Sequence, residues 1–325
     1  MNDQRILIIV GPTASGKSGL AIMLAKHYGG EVISADSRQV YKGLDLGTGK
    51  VTTREMDGVR HHLLDVVSPK RTYTANDYVI AARKAIADVR SRGKLPIICG
   101  GTGFYIDALL GRVNMPEVPP DPKLRSSLRE KSVEQLFSIL EEKDPARARS
   151  MNESDRRNPV RLVRAIEIAS SNKPRTSEQK PLAYEALWIG IKPSEKWLKE
   201  RITSRLVERL KRGMLAEAKR LHAGGLSYKR MESLGLEYRY EARLLQKQIN
   251  RTEFEQELGR EIWHYARRQM TYLKRNTHIQ WFASASTRGI ERAVRRFLKD
   301  GLSPSQTSSR PSLTEGSLRR IEGGR

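Results

Sequence analysis

The chain has 325 residues, with 60 Lys and Arg against 37 Asp and Glu, a net charge of +23, and 38% apolar residues. That length suits one large domain or two smaller ones. No apolar run approaches the roughly 18 residues of a membrane-spanning helix, and the single cysteine, Cys99, excludes a disulfide framework and a cysteine-based zinc site. The charge excess favours a polyanionic partner, nucleic acid ahead of a membrane surface, because no segment joins a basic face to a strongly aromatic or leucine-rich one.

The N-terminal apolar stretch is too short for a signal peptide and runs into a glycine loop rather than a cleavage site. Arg5–Val10 (RILIIV) therefore reads as a buried parallel strand. Residues 18–28 have helical spacing, with Leu20, Leu24 and Tyr28 on one face. Residues 31–35 (EVISA) form a second strand ending at Asp36, and residues 75–92 a long helix. Residues 95–99 (LPIIC) form a further buried strand, followed by Gly100, Gly101 and Thr102. This alternation predicts an α/β fold: a parallel sheet with flanking helices and a site at the carboxyl ends of the strands.

The proline cluster at 115–122 (MPEVPPDP) marks a boundary. The charged, helical text after it reads as a mostly helical insertion. Residues 187–191 return to the sheet, two long basic helices follow at about 194–223 and 251–275, and 278–282 is a last short strand. The expected organisation is core 1–114, helical insertion 115–183, returning core with basic helices 184–300, and a disordered tail 301–325 rich in Ser, Pro, Arg and Gly. No internal repeat is evident.

Gly11, Pro12, Thr13, Ala14, Ser15, Gly16, Lys17 and Ser18 read GPTASGKS and fit G-x-x-x-x-G-K-[ST] between a strand and a helix, the P-loop arrangement. The amides of such a loop and the helix N-terminus after it attract phosphate. Lys17 is the candidate to neutralise phosphate oxygens, and Ser18 to hold a Mg²⁺ that bridges them. The loop by itself leaves ATP, GTP and any compact diphosphate open. The strand at 95–99 ends without a carboxylate, which argues against ordinary nucleotide hydrolysis. Asp36, at the edge of the second strand, can serve Mg²⁺ through water, act as a general base, or simply shape a turn. Thr102 can donate to developing negative charge or belong to an ordinary strand-to-helix turn.

Taken in order, GPTASGKS, DSRQVYKGLDLGTGK (36–50), HHLLD (61–65), PIICGGTGFY (96–105), DRRNPVRLVRAIEIA (155–169), RITSRLVERLKRGMLAEAKRL (201–221) and YARRQMTYLKR (265–275) resemble the successive motifs of the tRNA dimethylallyltransferases. The resemblance spans about residues 5–282, and D-S-x-Q-x-Y combined with G-G-T-x-x-Y is its specific part. It implies a P-loop NTPase-like fold and an enzyme; the lone cysteine suits a reducing cytosol, and a monomer is the expected state. Its partners would be tRNA and dimethylallyl diphosphate, with Mg²⁺. The reaction implied is transfer of the five-carbon group to N6 of adenosine 37, beside the anticodon, with release of diphosphate.

In that reading Lys17, the loop amides and Mg²⁺ stabilise the departing diphosphate, helped by Arg201 or Arg205. Asp36 accepts the amine proton and Thr102 aligns the reactants. Asp36, Ser37, Arg38 and Gln39 meet the extruded base. Thr102, Arg125, Val160, Arg161, Leu162, Val163, Arg164, Arg267, Arg268, Gln269, Met270, Thr271, Tyr272, Leu273 and Lys274 meet tRNA. Helical spacing puts Ile262, Ala266, Met270 and Leu273 toward the core, and His264, Arg267, Arg268, Thr271, Lys274 and Arg275 on another side.

The sequence departs from the family pattern at 233–239 (SLGLEYR), where Leu236 replaces a Tyr after Gly. It departs again at Tyr272, where Trp is common, and at 157–161 (RNPVR). Competing readings are a small-molecule or nucleotide kinase, a non-catalytic RNA-binding NTPase, and an isopentenyltransferase acting on free adenylates. The basic helices and the insertion favour tRNA.

Overall fold

The structure, a computed structural model, describes residues 4–113, 115–116, 118–171, 184–285 and 288–299. The expected tail at 301–325 lies outside the described residues. The chain divides into two compact units, Met1–Leu110 with Ala183–Arg325, and Gly111–Leu182.

In the first unit, β1 (Arg5–Val10), β2 (Gly30–Ser34), β3 (His61–His62), β4 (Leu95–Gly100), β5 (Glu185–Ile191) and β6 (Gln280–Phe282) form one parallel sheet in the order β3-β2-β4-β1-β5-β6. Its helices before the second unit are α1 (Lys17–Tyr28), α2 (Thr53–Met56), α3 (Ala75–Ser91) and α4 (Gly103–Leu109). The second unit holds α5 (Pro122–Leu128), α6 (Val133–Lys143), α7 (Pro145–Ser150), α8 (Glu153–Arg156) and α9 (Pro159–Ala169). The chain then returns with α10 (Glu195–Lys211), α11 (Met214–Ala223), α12 (Tyr228–Ser233), α13 (Leu236–Leu245), α14 (Arg251–Leu273) and α15 (Arg288–Lys299).

Past their first residues the central strands are apolar, because both sheet faces are covered. From Ile6 to Val10 every side chain of β1 is fully buried. Leu7 and Ile9 pack with Val32, Ile97 and Ile189 against Leu20 and Leu24 of α1 and Ile290 and Val294 of α15. Ala14 of the phosphate loop belongs to a different cluster, with Ile202 and Leu206 of α10 and Leu258, Ile262 and Ala266 of α14. The two basic helices therefore form a lid of apolar packing over the loop, which fixes where their cations can sit. The expected single helix at 194–223 is two, α10 and α11, separated at Gly213, whose φ of +97° interrupts the helical path.

The second unit has its own core of Leu128, Leu136, Leu140, Met151, Leu162 and Ile166. Beside it, the enclosed Glu167 carboxylate accepts hydrogen bonds from Arg125 Nε and Nη2 at 2.6 and 2.9 Å, from Arg164 Nη1 at 3.1 Å and from the Asp121 amide at 2.9 Å. Burial alone would raise the Glu167 pKa, but Arg125, the Asp121 amide and Arg164 together hold it below the ordinary carboxylate value.

Candidate active site

The site is assembled from the carboxyl ends of β1, β2 and β4. After β1, Gly16 takes φ +88° as the residue before α1, and the Ser15 amide donates to Pro12 O at 3.3 Å. These two features curl the loop so that its amides face inward. Lys17 Nζ folds back to Pro12 O at 3.0 Å, and Ser18 is exposed in the first turn of α1.

Beyond β2, Asp36 Oδ1 accepts the Arg38 amide at 2.9 Å and the Gln39 amide at 3.4 Å. This is the turn-forming role an Asx residue plays, and it leaves Oδ2 without a hydrogen-bonding partner among the described residues. After β4, the Thr102 amide donates to Ala35 O at 3.1 Å, and Thr102 Oγ1 accepts the Ser37 amide at the same distance. Asp36, Ser37 and Thr102 are thus one rigid edge, joined across two neighbouring strands. Asp36, Ser37, Arg38 and Gln39 are all partly exposed there.

Two basic groups meet here, Lys17 from the loop and Arg205 from α10. Burial pushes the Lys17 ammonium below its ordinary pKa, opposed by Cys99 and Asp36 and reinforced by Arg205. Burial also lowers Arg205, and Arg209 and Arg201 add to the effect. A guanidinium nonetheless stays charged at physiological pH. Arg209 is occupied by Gly47 O at 2.8 Å and Glu237 at 3.2 Å. Arg205 makes no hydrogen bond or ion pair among the described residues, and it is the arginine whose charge reaches Lys17. Glu55 and Glu208 are near enough to oppose the lowering of its pKa but neither pairs with it, so its guanidinium donors remain open to an anion. Arg201, on the same helix, also makes no hydrogen bond or ion pair among the described residues, but it is Arg205 that acts on Lys17.

The strip from Arg267 to Lys274 divides by burial. Arg267, Arg268, Thr271 and Lys274 are exposed, Met270 and Tyr272 are partly buried, and Gln269 and Leu273 are buried. This corrects the helical reading, which puts Met270 rather than Gln269 in the core, and it removes Gln269 and Leu273 from the surface open to RNA. Gln269 goes inward because its amide is satisfied on both sides. Its Oε1 accepts the Thr13 amide at 2.8 Å, and its Nε2 donates to Gly101 O at 3.1 Å. It is a strut between the phosphate loop and the Thr102 segment. Gly101 is required at this contact, since a Cβ there would lie 2.1 Å from Gln269 Nε2.

The strip at 160–164 divides as well. Val160 is 76% exposed and Arg161 is exposed, but Leu162 is fully buried in the second unit's core and leaves the candidate RNA surface for that reason. Val163 packs partly against the same core. Arg125 and Arg164 are held by Glu167, so their first role is to anchor their own unit.

Sequence reasoning missed Glu217. Buried on α11, it accepts the Asp45, Leu46 and Gly47 amides at 3.1, 2.8 and 3.0 Å and the Tyr238 hydroxyl at 2.7 Å. It fixes the loop that runs past Arg205 and Arg209. Its partners come from two segments distant from it in the chain, so no local pattern announces it.

The model of the IPP transferase family matches residues 39–276. A tRNA dimethylallyltransferase 2 of Trichlorobacter lovleyi is 43% identical over 285 residues, covering 86% of this chain and 92% of the relative. The full-length tRNA isopentenylpyrophosphate transferase of Bacillus halodurans superposes with a TM-score of 0.67 at 29% identity, over 98% of both chains. A eukaryotic dimethylallyltransferase solved acting on tRNA shares the fold, with a TM-score of 0.77 at 24% identity over 98% of this chain and 84% of that one. The family match begins after the phosphate loop and so does not depend on that widespread motif; the chain belongs to the IPP transferase family.

Proposed function

We propose that this chain transfers the dimethylallyl group of dimethylallyl diphosphate to N6 of adenosine 37 in tRNA. The C–O bond to diphosphate breaks with its electron pair going to the leaving oxygen. A C–N6 bond forms, and the amine proton passes to Asp36 Oδ2, the carboxylate oxygen not engaged in the turn. Lys17, the loop amides and Arg205 offset the charge that grows on diphosphate. The observation that carries this reading is Lys17, folded onto the loop at Pro12 O, with the turn-held Asp36 near enough to act on its charge and Arg205, which makes no hydrogen bond or ion pair among the described residues, acting on it from α10.

The donor set fits Mg²⁺. Ser18 is an exposed hydroxyl at the loop's end, and Asp36 is a nearby oxygen donor reached through water. Magnesium is commonly held by one or two protein oxygens plus substrate phosphates. Such an ion would supply further charge neutralisation on the leaving group. Thr102 holds Ser37 in place and so keeps the edge that receives the base rigid.

The exposed Arg267, Arg268 and Lys274 with Thr271, and Val160 with Arg161 on the second unit, are the surfaces we assign to tRNA. No helix among the described residues is long and apolar enough to cross a membrane. We assign the enzyme to the cytosol, as a monomer. The kinase reading is not favoured, because the matched relatives transfer prenyl groups and the chain carries basic helices that a small acceptor does not need.

Mass spectrometry of an anticodon stem-loop incubated with the protein, Mg²⁺ and dimethylallyl diphosphate tests the proposal. The expected product is heavier by one dimethylallyl group at adenosine 37. Unmodified RNA accompanied by turnover of a nucleoside triphosphate would remove it.

A further inference from the structure

Residues 265, 269 and 272 of α14 are spaced to share one helix face. Two of the three are anchored on the same segment. Gln269 bonds Gly101 O and the Thr13 amide. The Tyr272 ring stands 2.5 Å from where a Gly103 Cβ would be, and its hydroxyl donates to Asp107 at 2.8 Å. This face therefore runs alongside residues 101–103, with Thr102 in the middle.

Tyr265 lies one turn further back, past Gly101 and on the side of Asp36 and Arg38. Its ring is partly buried. Its hydroxyl makes no hydrogen bond among the described residues, whereas those of Tyr238 and Tyr272 each donate to a carboxylate. Unlike the Tyr78 hydroxyl, it is not sealed away from solvent. A donor with no partner among the described residues is thus open on the side of the helix toward Asp36, whose Oδ2 also has none.

Adenine presents the complementary pair. Its N6 amine donates, and the ring nitrogens N1 and N7 that flank the amine accept. We propose that the Tyr265 hydroxyl donates a hydrogen bond to a ring nitrogen beside the amine of the extruded adenine, presenting N6 to Asp36 and rejecting bases that lack this donor–acceptor edge. The inference rests on the prenyl-transfer reading above. Burial, and after it the Asp36 carboxylate, keep the phenol proton in place far above the ordinary titration range, so the group is a donor under any assay condition.

The test uses the full chain, wild type and Tyr265→Phe, with stem-loops carrying adenosine, 1-deazaadenosine or 7-deazaadenosine at the acceptor position. Wild-type transfer to adenosine is measured first, and its absence would defeat the prenyl-transfer reading itself. With transfer established, Tyr265→Phe should lower kcat/KM for the adenosine RNA by roughly tenfold to a hundredfold, as expected for an unpaired polar partner. KM for dimethylallyl diphosphate and the melting temperature should stay unchanged. One deaza substrate should cost the wild type a similar factor and cost the variant nothing more, because both changes delete one interaction. A phenylalanine variant as active as wild type, or losses that multiply for both deaza substrates, would overturn the assignment; multiplied losses are what a merely structural tyrosine gives.

Discussion

Asp36 Oδ1 is taken up by the amides of its own turn, so a single oxygen remains for an incoming amine. Asp36→Asn keeps the turn and removes the proton acceptor. It should lower kcat by about 10² to 10⁴-fold while leaving the affinity for dimethylallyl diphosphate within a factor of a few. Arg205→Gln should do the reverse in part, raising KM for the diphosphate by roughly tenfold to a hundredfold, because it deletes a charged hydrogen bond to the leaving group. Steady-state kinetics of both variants distinguish the roles. Equal effects of the two on KM would contradict the separation of base from cradle. The sequence makes Asp36 and Lys17 visible because their motifs are local. It does not distinguish Arg201 from Arg205, since that choice depends on which guanidinium another helix encloses. Glu217 escapes for the same reason, and so does the inward role of Gln269, as their partners lie on segments distant in the chain.

At the scale of elements, α14 combines a buried stripe with a cationic edge. Phe254, Leu258, Ile262, Ala266 and Leu273 face inward, and Arg267, Arg268 and Lys274 face out. Replacing Arg267 and Arg268 together by Ala should weaken tRNA binding at low salt and reduce the slope of log K against log salt by about 1 to 2, as expected when one or two phosphate contacts are lost. Binding measured across a salt series reads this directly, and an unchanged slope would take the edge out of the interface. The position of the helix was legible from its apolar spacing; its start is fixed by the Asn250–Glu253 capping box, a signal that sequence reasoning missed. The error over Met270 came from treating polarity as a guide to exposure. A glutamine amide with two backbone partners is as much at home inside as a methionine. The break at Gly213 was missed because the basic, helix-favouring text continues on both sides of it.

For the molecule as a whole, the acid content of the interior matters as much as the surface excess of +23. Glu241 on α13 is fully buried, and neither carboxylate oxygen has a hydrogen-bonding partner among the described residues. Burial, then Glu217 and Glu237, raise its pKa well above the ordinary value. The folded state thus keeps a proton that the unfolded chain releases. Stability falls as pH rises from the unfolded pKa toward the folded one. Glu241→Gln should raise stability near neutral pH and flatten its decline as pH rises above the ordinary carboxylate pKa of about 4.3. Urea unfolding over that range checks it, and an undiminished decline in the variant would assign the pH dependence to another group.

The strut formed by Gln269 carries an evolutionary consequence. Its nitrogen fills the space an alanine methyl at position 101 would need, so neither residue is free to drift alone. A side chain gained at 101 evicts the amide, and an amide lost at 269 strands the Thr13 N–H. Across diverging descendants these two positions should be inherited as a couple, and a lineage that changed one while keeping the other would need a new way to brace its phosphate loop.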